Sequence, residues 1–138
     1  MPAVLYVDDE PALRRLVRRW YERRGVTMRV AASVAEAKRI LSEDDIVGAF
    51  VDVWLGAQTG FDLYAWIAEF RPRLKDRVVF ITGDVVPGAD NGNVQALGRA
   101  VITKPFGLDD LEPYVRAWIG NGGGARISLE EPGARGQA

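Results

Sequence analysis

The sequence predicts a doubly wound α/β fold in which helices cover both faces of a five-stranded parallel sheet. Strand-like and helix-like segments alternate five times along the chain. The strand-like segments are apolar on both faces, which is typical of parallel strands buried between two layers of helices. The 138 residues suit one domain with a single core. Right-handed crossovers between parallel strands give a doubly wound fold, and in such folds ligands are expected at the carboxyl ends of the strands.

The first strand and the first helix are predicted from the opening of the chain. Residues 3–7 form a short apolar run that Asp8 and Asp9 close, as expected of a buried strand. Pro11 suits the first turn of a helix, and Gly25 is a candidate for the C-terminal cap. The helix between them is indicated by apolar residues at helical spacing: Leu13, Leu16, Val17 and Trp20.

Two further strands flank the second predicted helix. They are expected over residues 26–31 and 46–53, where apolar residues predominate. Ser33 and Glu36 have the spacing of a capping box, in which the serine side chain accepts a hydrogen bond at the start of a helix. The helix that they open is expected to end near Leu41.

The remaining elements follow a predicted loop over residues 55–60. The third helix is expected to stop near Pro72, and its apolar residues are Phe61, Leu63, Tyr64, Ile67 and Ala68. The last two strands and the last helix are expected over residues 78–81, 101–103 and 108–119.

Two segments have a weaker pattern. Poor helix formers are concentrated in one of them: Pro87, Gly88, Asn91, Gly92 and Asn93. A short helix is therefore expected only near residues 94–97. After residue 119 the composition shifts to Gly, Ala, Arg, Glu and Pro. Residues 1–119 are thus predicted to form the folded domain, and residues 120–138 a disordered tail or linker.

The composition excludes several kinds of chemistry. The chain contains no Cys and no His, which excludes disulfides, thiolate zinc sites, Ser-His hydrolysis and a role as phosphohistidine donor. The net charge of -1 gives no reason to expect nucleic acid or a membrane surface as a partner. The N-terminus lacks the pattern of a signal peptide, and the apolar stretches are far shorter than the ~20 residues of a membrane span, so a cytoplasmic protein is expected.

Polar residues interrupt the apolar strands at one end only. They are Asp8, Asp9, Asp52, Thr82 and Lys104. Because the carboxyl ends of parallel strands meet at one edge of a sheet, these side chains are expected to cluster. Three neighbouring carboxylates repel one another, and Mg²⁺ is the natural compensation. The lysine and the threonine can hold further anionic oxygens, so the set suits phosphoryl transfer to a carboxylate.

Four motifs resemble those of response regulator receiver domains, and the resemblance as a whole covers residues 4–119. In chain order they are Leu5-Tyr6-Val7-Asp8-Asp9-Glu10, Phe50-Val51-Asp52-Val53-Trp54-Leu55 with Gly60, Phe80-Ile81-Thr82-Gly83-Asp84, and Thr103-Lys104-Pro105-Phe106. The resemblance implies a flavodoxin-like sheet with the strand order 2-1-3-4-5. The loop around Gly56 and the stretch 77–84 most resemble receivers attached to hybrid sensor histidine kinases.

The resemblance also implies a phosphorylation site and a metal site. Asp52 would accept the phosphoryl group. Asp9 would bind Mg²⁺ directly, and Asp8 would help through water or as a second ligand. Asp52 and the backbone carbonyl of Trp54 would complete the protein ligands.

The same resemblance implies how the phosphoryl group is held. Thr82 would bind it, and Lys104 would pair with one of its oxygens. The bond between Lys104 and Pro105 is expected to be cis. Val101 stands where receivers often have an aromatic residue that turns inward as the threonine moves, so the usual aromatic switch is not expected through this residue.

The implied activity is that of a signalling phosphoacceptor, not an enzyme, although it would promote its own phosphorylation and slow dephosphorylation. The implied partners are a sensor histidine kinase or a histidine phosphotransfer protein, and a downstream protein target. No DNA-binding domain or membrane contact is expected, and a homodimer is left open. A solvated face is favoured over a docking surface for the arginines of the first helix: Arg14, Arg15, Arg18, Arg19, Arg23 and Arg24.

Two other functions remain as alternatives. One is a non-catalytic pseudo-receiver that serves as an interaction module. It is disfavoured because every residue of the implied site is present. The other is a phosphatase with an aspartate nucleophile, of the haloacid dehalogenase type. That family needs a second Asp two residues after the nucleophile, where Trp54 stands here.

Overall fold

Strands and helices alternate along the computed structural model, which describes residues 2–83 and 100–120. The strands are β1 (Ala3–Val7), β2 (Met28–Ala31), β3 (Ile46–Asp52), β4 (Trp54–Leu55), β5 (Gln58–Thr59), β6 (Val78–Thr82) and β7 (Ala100–Thr103). The helices are α1 (Pro11–Glu22), α2 (Val34–Glu43), α3 (Gly60–Phe70) and α4 (Glu112–Ile119). Short 3₁₀ turns occupy Lys75–Arg77 and Leu108–Leu111.

Five of these strands form a parallel sheet in the order β2-β1-β3-β6-β7. β6 and β7 are the fourth and fifth strands of the prediction, so the predicted order 2-1-3-4-5 is confirmed. The chain leaves β1 and β3 toward opposite edges of the sheet. This divergence opens a crevice at the carboxyl ends of β1 and β3, where ligands bind in folds of this type.

The sheet separates two apolar layers, as the doubly wound prediction requires. Successive side chains of a strand point to opposite faces. Leu5 and Val7 therefore join the layer beneath α2 and α3, whereas Val4 and Tyr6 join the layer beneath α1 and α4. β1 and β6 are buried over their whole length, which explains why their sequences show no polar alternation.

The buried stripe of α1 is narrower than its sequence pattern suggests. Val17 and Tyr21 are fully buried, and Leu13 and Trp20 pack partly against the same layer. Leu16 was predicted to share this face but is 52% exposed. Consecutive residues of a helix are about 100° apart, which leaves Leu16 beyond the margin set by Val17.

Local hydrogen bonds define the helix ends. Ser33 Oγ accepts from the amide of Glu36 at 3.1 Å, as the capping box predicted. The Glu36 carboxylate accepts in return from the amide of Ala32, at 2.7 Å, and not from Ser33. α2 then continues to Glu43, two residues past the predicted end. Gly25, with a φ of 83°, turns the chain after α1 toward β2.

Residues 55–60, predicted to be a loop, lie largely in a β-hairpin. Trp54 pairs with Thr59, and Leu55 pairs with Gln58, in antiparallel register. Gly56 has a φ of 74° in the turn, a conformation that glycine adopts without steric cost. The predicted loop was wrong because two pairs of residues are too short a pattern to distinguish from irregular structure.

Several predictions near the C-terminus meet different outcomes. The last predicted helix, 108–119, is a 3₁₀ turn followed by α4. The helix expected near residues 94–97 and the tail from residue 121 onward lie outside the described residues. Among the helices of residues 2–83 and 100–120, none has both the length and the apolar character that crossing a membrane requires.

Candidate functional site

The predicted site residues lie at the carboxyl edge of the sheet. Asp8 follows β1, Asp52 ends β3 and Thr82 ends β6. The register places Thr82 beside Thr103, the last residue of β7. Lys104 is the next residue and therefore lies at the same edge of the sheet. Residues far apart in the sequence are therefore brought to one crevice, as the rule for doubly wound sheets predicted.

Three carboxylates form the acidic cluster of this edge. Asp8, Asp9 and Asp52 each offer an oxygen, and these oxygens lie within 4.8 Å of one another. Asp8 and Asp52 are buried, whereas Asp9 is exposed to solvent. Carboxylate oxygens are the ligands that Mg²⁺ prefers, and such an ion commonly keeps several waters. A donor set with two fixed buried oxygens and one exposed oxygen fits an ion of this kind.

Lys104 connects the two buried carboxylates. Its Nζ lies 2.9 Å from Asp52 Oδ2, 3.0 Å from Asp8 Oδ2 and 3.8 Å from Glu10 Oε1. Its amide donates to the Thr82 carbonyl at 2.9 Å, which anchors the backbone after β7. The bond to Pro105 is cis, as the resemblance implied. Burial alone would lower the pKa of Lys104, but the hydrogen bonds to Asp52 and Asp8 outweigh it and the pKa is raised.

The environment of Asp52 makes its charge costly. Burial raises the pKa of this carboxyl to about 6, although the hydrogen bonds from Lys104 and from the amide of Trp54 oppose the shift. The negative charge of Asp8 raises the pKa further. The Trp54 amide donates to Asp52 Oδ1 at 3.1 Å, so each oxygen of the carboxylate has one donor. Asp52 is thus ionised near neutral pH and favours additional positive charge nearby.

Asp8 has partners that the sequence did not reveal. The hydroxyl of Tyr6 donates to Asp8 Oδ2 at 2.8 Å, and the amide of Glu10 donates to Asp8 Oδ1 at 3.0 Å. The guanidinium of Arg14 donates to the Asp8 carbonyl at 2.8 Å. Only the two-residue spacing of Tyr6, on β1, and Asp8, directly after it, could have indicated their contact, because it places both side chains on one face.

The hairpin after β3 brings α3 close to the acceptor strand. A side chain at Gly60 would overlap the backbone oxygen of Asp52 and would lie 2.9 Å from Val51 Cγ1. The Gly60 amide donates to the Val53 carbonyl at 2.8 Å. Glycine therefore permits the first turn of α3 to pack directly against the end of β3. The ring of Trp54 projects from the hairpin and is 45% exposed.

The two residues for which the resemblance implies a part in switching, Thr82 and Val101, differ in how far they are buried. Thr82 is buried at the site edge. Val101, on β7, is 37% exposed. Asp84, part of the third motif, lies outside the described residues.

Comparison with known proteins identifies the family. A model of the response regulator receiver domain matches residues 4–116. The chain belongs to the response regulator receiver family. This receiver is accordingly a phosphoacceptor domain of two-component signalling.

Individual relatives agree with this identification. The receiver is 35% identical to the photosynthetic apparatus regulatory protein RegA of Rhodovulum sulfidophilum, over 80% of this chain and 59% of the relative. It spans about half the length of other curated relatives that it matches.

Solved structures share the fold. A receiver protein from Pseudomonas putida superposes with a TM-score of 0.75 at 26% identity, covering 83% of this chain and 95% of the other. A Burkholderia pseudomallei response regulator, solved with a phosphorylated aspartic acid, calcium ion and citrate, gives a TM-score of 0.71 at 23% identity. That match covers 83% of this chain and 66% of the other.

Proposed function

We propose that Asp52 of this receiver accepts the phosphoryl group from a phosphohistidine of a partner protein. The observation that carries the proposal is the position of Lys104, whose ammonium group contacts Asp8 and Asp52 at 3.0 and 2.9 Å. Together with Asp9, these residues form an acidic cluster with one shared cation at the edge where this fold binds ligands. That arrangement suits positioning and charge compensation, which phosphoryl transfer mainly requires.

The transfer can be written with the residues of the site. A carboxylate oxygen of Asp52 attacks the phosphorus atom, a P–O bond forms, and the P–N bond to the donor imidazole breaks. The imidazole leaves with the electron pair of that bond and takes up a proton. Because the pKa of Asp52 is about 6, its carboxyl group is ionised and nucleophilic in most molecules at pH 7.

Lys104 and Thr82 would hold the transferred group. Lys104 would exchange its contact with Asp52 Oδ2 for a phosphoryl oxygen, since that oxygen carries more negative charge than the carboxyl group of the acyl phosphate. Thr82, buried at the end of β6, would donate its hydroxyl to another phosphoryl oxygen. Both residues are therefore assigned binding roles at the phosphoryl group.

Four oxygen-bearing groups of the protein would hold Mg²⁺: the carboxylates of Asp8, Asp9 and Asp52 and the backbone carbonyl of Trp54. When bound, the ion supplies positive charge that offsets the carboxylates and the phosphoryl oxygens. The proximity of the three carboxylates and the raised pKa of Asp52 support this assignment.

Phosphorylation with a small donor tests the assignment. The full chain is incubated with acetyl phosphate and Mg²⁺, and its intact mass is measured before and after alkaline treatment. We expect one base-labile phosphoryl group that is absent with EDTA and absent from Asp52→Asn. Asp45→Asn is the matched control, because Asp45 is an exposed aspartate next to the amino end of β3. An adduct that persists on Asp52→Asn would overturn the proposal.

The same experiment separates the alternatives. Failure of the wild-type chain to take up the group would favour a pseudo-receiver. Sustained hydrolysis of a small phosphoester would favour a phosphatase. We propose neither, and assign the chain as a signalling phosphoacceptor whose phosphorylation changes its protein contacts in the cytoplasm.

A docking surface for the phosphodonor is proposed on α1. A groove of about 340 Å³ runs along the helix, and we call it the α1 groove; its lining is Ala12, Arg15, Leu16, Arg19, Trp20 and Arg23. Arg14 and Arg18 are engaged with the Asp8 carbonyl and with Glu22. No ion pair within the described residues involves the three arginines of the groove. These cations and the exposed Leu16 suit a sensor kinase or histidine phosphotransfer protein with an acidic, apolar surface.

A further inference from the structure

Tyr6, Asp8, Lys104 and Asp52 form a continuous chain of polar contacts across the site. The Tyr6 hydroxyl donates to Asp8 Oδ2 at 2.8 Å, and Lys104 Nζ contacts the same oxygen at 3.0 Å. Lys104 Nζ then contacts Asp52 Oδ2 at 2.9 Å. Asp8 Oδ2 therefore has two donors, one from a fixed residue of β1 and one from a flexible lysine.

Tyr6 is the buried end of this chain of contacts. Its side chain is completely buried in the layer beneath α1 and α4. Asp8 directly follows β1, and its amide continues the ladder by donating to the Ala31 carbonyl at 3.0 Å. Its side chain therefore lies on the same face as that of Tyr6, two residues earlier. The Tyr6 hydroxyl is therefore already within hydrogen-bond distance of Asp8 Oδ2.

We propose that Tyr6 is a positioning residue for the metal site. Its hydroxyl keeps Asp8 oriented toward the divalent ion when Lys104 leaves Asp8 and Asp52 for the phosphoryl group. Among the described residues, the remaining side-chain donor of Asp8 without Tyr6 would be Lys104, the residue that moves. The amide of Glu10, at 3.0 Å from Asp8 Oδ1, is a backbone donor and holds only the other oxygen.

The expected magnitude follows from what such contacts contribute elsewhere. Hydrogen bonds that orient metal-ligating side chains typically change metal affinity by about 10–100-fold when they are removed. This inference rests on the proposed function, because it assumes that the acidic cluster binds Mg²⁺. It adds a residue that is in contact with neither the ion nor the phosphoryl group.

Tyr6→Phe removes the hydroxyl and keeps the ring. Mg²⁺ is titrated into the variant and the wild type, and the shift of the Glu10 amide is followed by NMR, since that amide contacts Asp8 directly. We expect the dissociation constant for Mg²⁺ to rise by about tenfold. In phosphorylation by acetyl phosphate, the Mg²⁺ concentration for half-maximal rate should rise by the same factor. The rate at saturating Mg²⁺ should remain within about twofold of wild type, because Tyr6 does not touch the reacting atoms.

Tyr21→Phe is a matched control. Tyr21 lies on α1 and is also fully buried in the same apolar layer, and its hydroxyl donates to the Leu108 carbonyl at 2.7 Å, away from the site. Both variants should lower the melting temperature to a similar extent, but only Tyr6→Phe should change the affinity for Mg²⁺. In an Asp8→Asn background, Tyr6→Phe should have no further effect, because it acts through Asp8.

The outcomes distinguish the two proposals. If the wild type binds Mg²⁺ and Tyr6→Phe binds it within twofold, or if Tyr21→Phe weakens it equally, the positioning role is overturned while the metal site stands. If the wild type does not bind Mg²⁺, both proposals fail.

A measurement without a variant completes the test. In the wild type labelled with ¹³C-tyrosine, the Cζ resonance of Tyr6 should shift on addition of Mg²⁺ while that of Tyr21 does not. An unmoved Tyr6 resonance would contradict the role.

Discussion

Lys104 Nζ lies 2.9 Å from Asp52 Oδ2, so a cation from the end of β7 is in direct contact with the buried carboxyl that ends β3. The same ammonium group contacts Asp8 at 3.0 Å. One lysine therefore compensates two buried carboxylates, and it does so incompletely, because the pKa of Asp52 remains raised to about 6. Asp8 and Asp52 share the positive charge of Lys104, so a cation or phosphoryl group that enters the site must change the contacts of that lysine.

Removal of the lysine should raise the pKa of Asp52 further. In Lys104→Met, burial would act without the hydrogen bond that lowers the pKa, and we expect a rise of about one unit or more above the wild-type value. The measurement is a carboxyl ¹³C NMR titration of Asp52 in the absence of divalent metal. Lys38→Met is the control, because Lys38 lies on α2, with its ammonium group over the Trp66 ring and away from the site. An unchanged Asp52 pKa in Lys104→Met would show that the contact between Lys104 and Asp52 contributes little to the ionisation of Asp52.

Stability without metal should depend on the ionisation of Asp52. The pKa of this group is about 6 in the folded chain against an ordinary value of 3.8. Between these values the folded state retains a proton that the unfolded state has released, so the free energy of unfolding falls as pH rises from about 4 to about 6. Above that window the loss is complete, and it amounts to about 1–3 kcal/mol.

Asp52→Asn should abolish this pH dependence. In EDTA at pH 7 we expect the variant to be more stable than wild type by about 1–3 kcal/mol, with the difference vanishing near pH 4. Urea unfolding across this pH range measures it, and Asp45→Asn serves as the exposed control. Parallel curves for wild type and Asp52→Asn would refute the prediction.

Charge reversal in the α1 groove should affect the protein donor alone. For Arg15→Glu combined with Arg19→Glu, we expect transfer from a phosphorylated sensor kinase that serves the wild type to slow by about tenfold or more. Phosphorylation by acetyl phosphate should not change, since the groove arginines do not contact Asp52. Arg73→Glu is an exposed control in the segment between α3 and β6. Equal slowing with both donors would indicate damage to the site and would rule out the docking role.

Gly60→Ala should destabilise the junction between β3 and α3. The added methyl would overlap the backbone oxygen of Asp52, which cannot move without disturbing the sheet. We expect a loss of about 1–3 kcal/mol in the free energy of unfolding, typical of overpacking. Gly83→Ala is the comparison, because its methyl would meet the Lys104 side chain at an ordinary 3.5 Å. Chemical denaturation should therefore show a much larger effect for Gly60 than for Gly83.

Much of the fold and of the candidate site could be predicted from the sequence. The parallel sheet and the convergence of Asp8, Asp52 and Lys104 follow from apolar runs buried on both faces and from the carboxyl-edge rule, whereas the strand order came from the family resemblance. Leu16 was misplaced because helical spacing defines the direction of a stripe better than its width. The β4–β5 hairpin was missed because it contains only two residue pairs. The metal ligands, the assignment of Asp52 as the phosphorylated residue and the attachment to a hybrid kinase stay predictions.

Sequence pattern by itself determined which residues form the sheet and which polar residues end its strands, because burial and periodicity leave a direct trace in residue order. Tertiary structure alone decided which donor meets which carboxylate. Lys104 reaches Asp52 from 52 positions away, and Tyr6 on β1 contacts Asp8 just beyond the end of that strand. Such contacts depend on strand register and on the depth at which a side chain is buried. Neither quantity is a property of local sequence, since both arise only when distant strands pair and helices close over them.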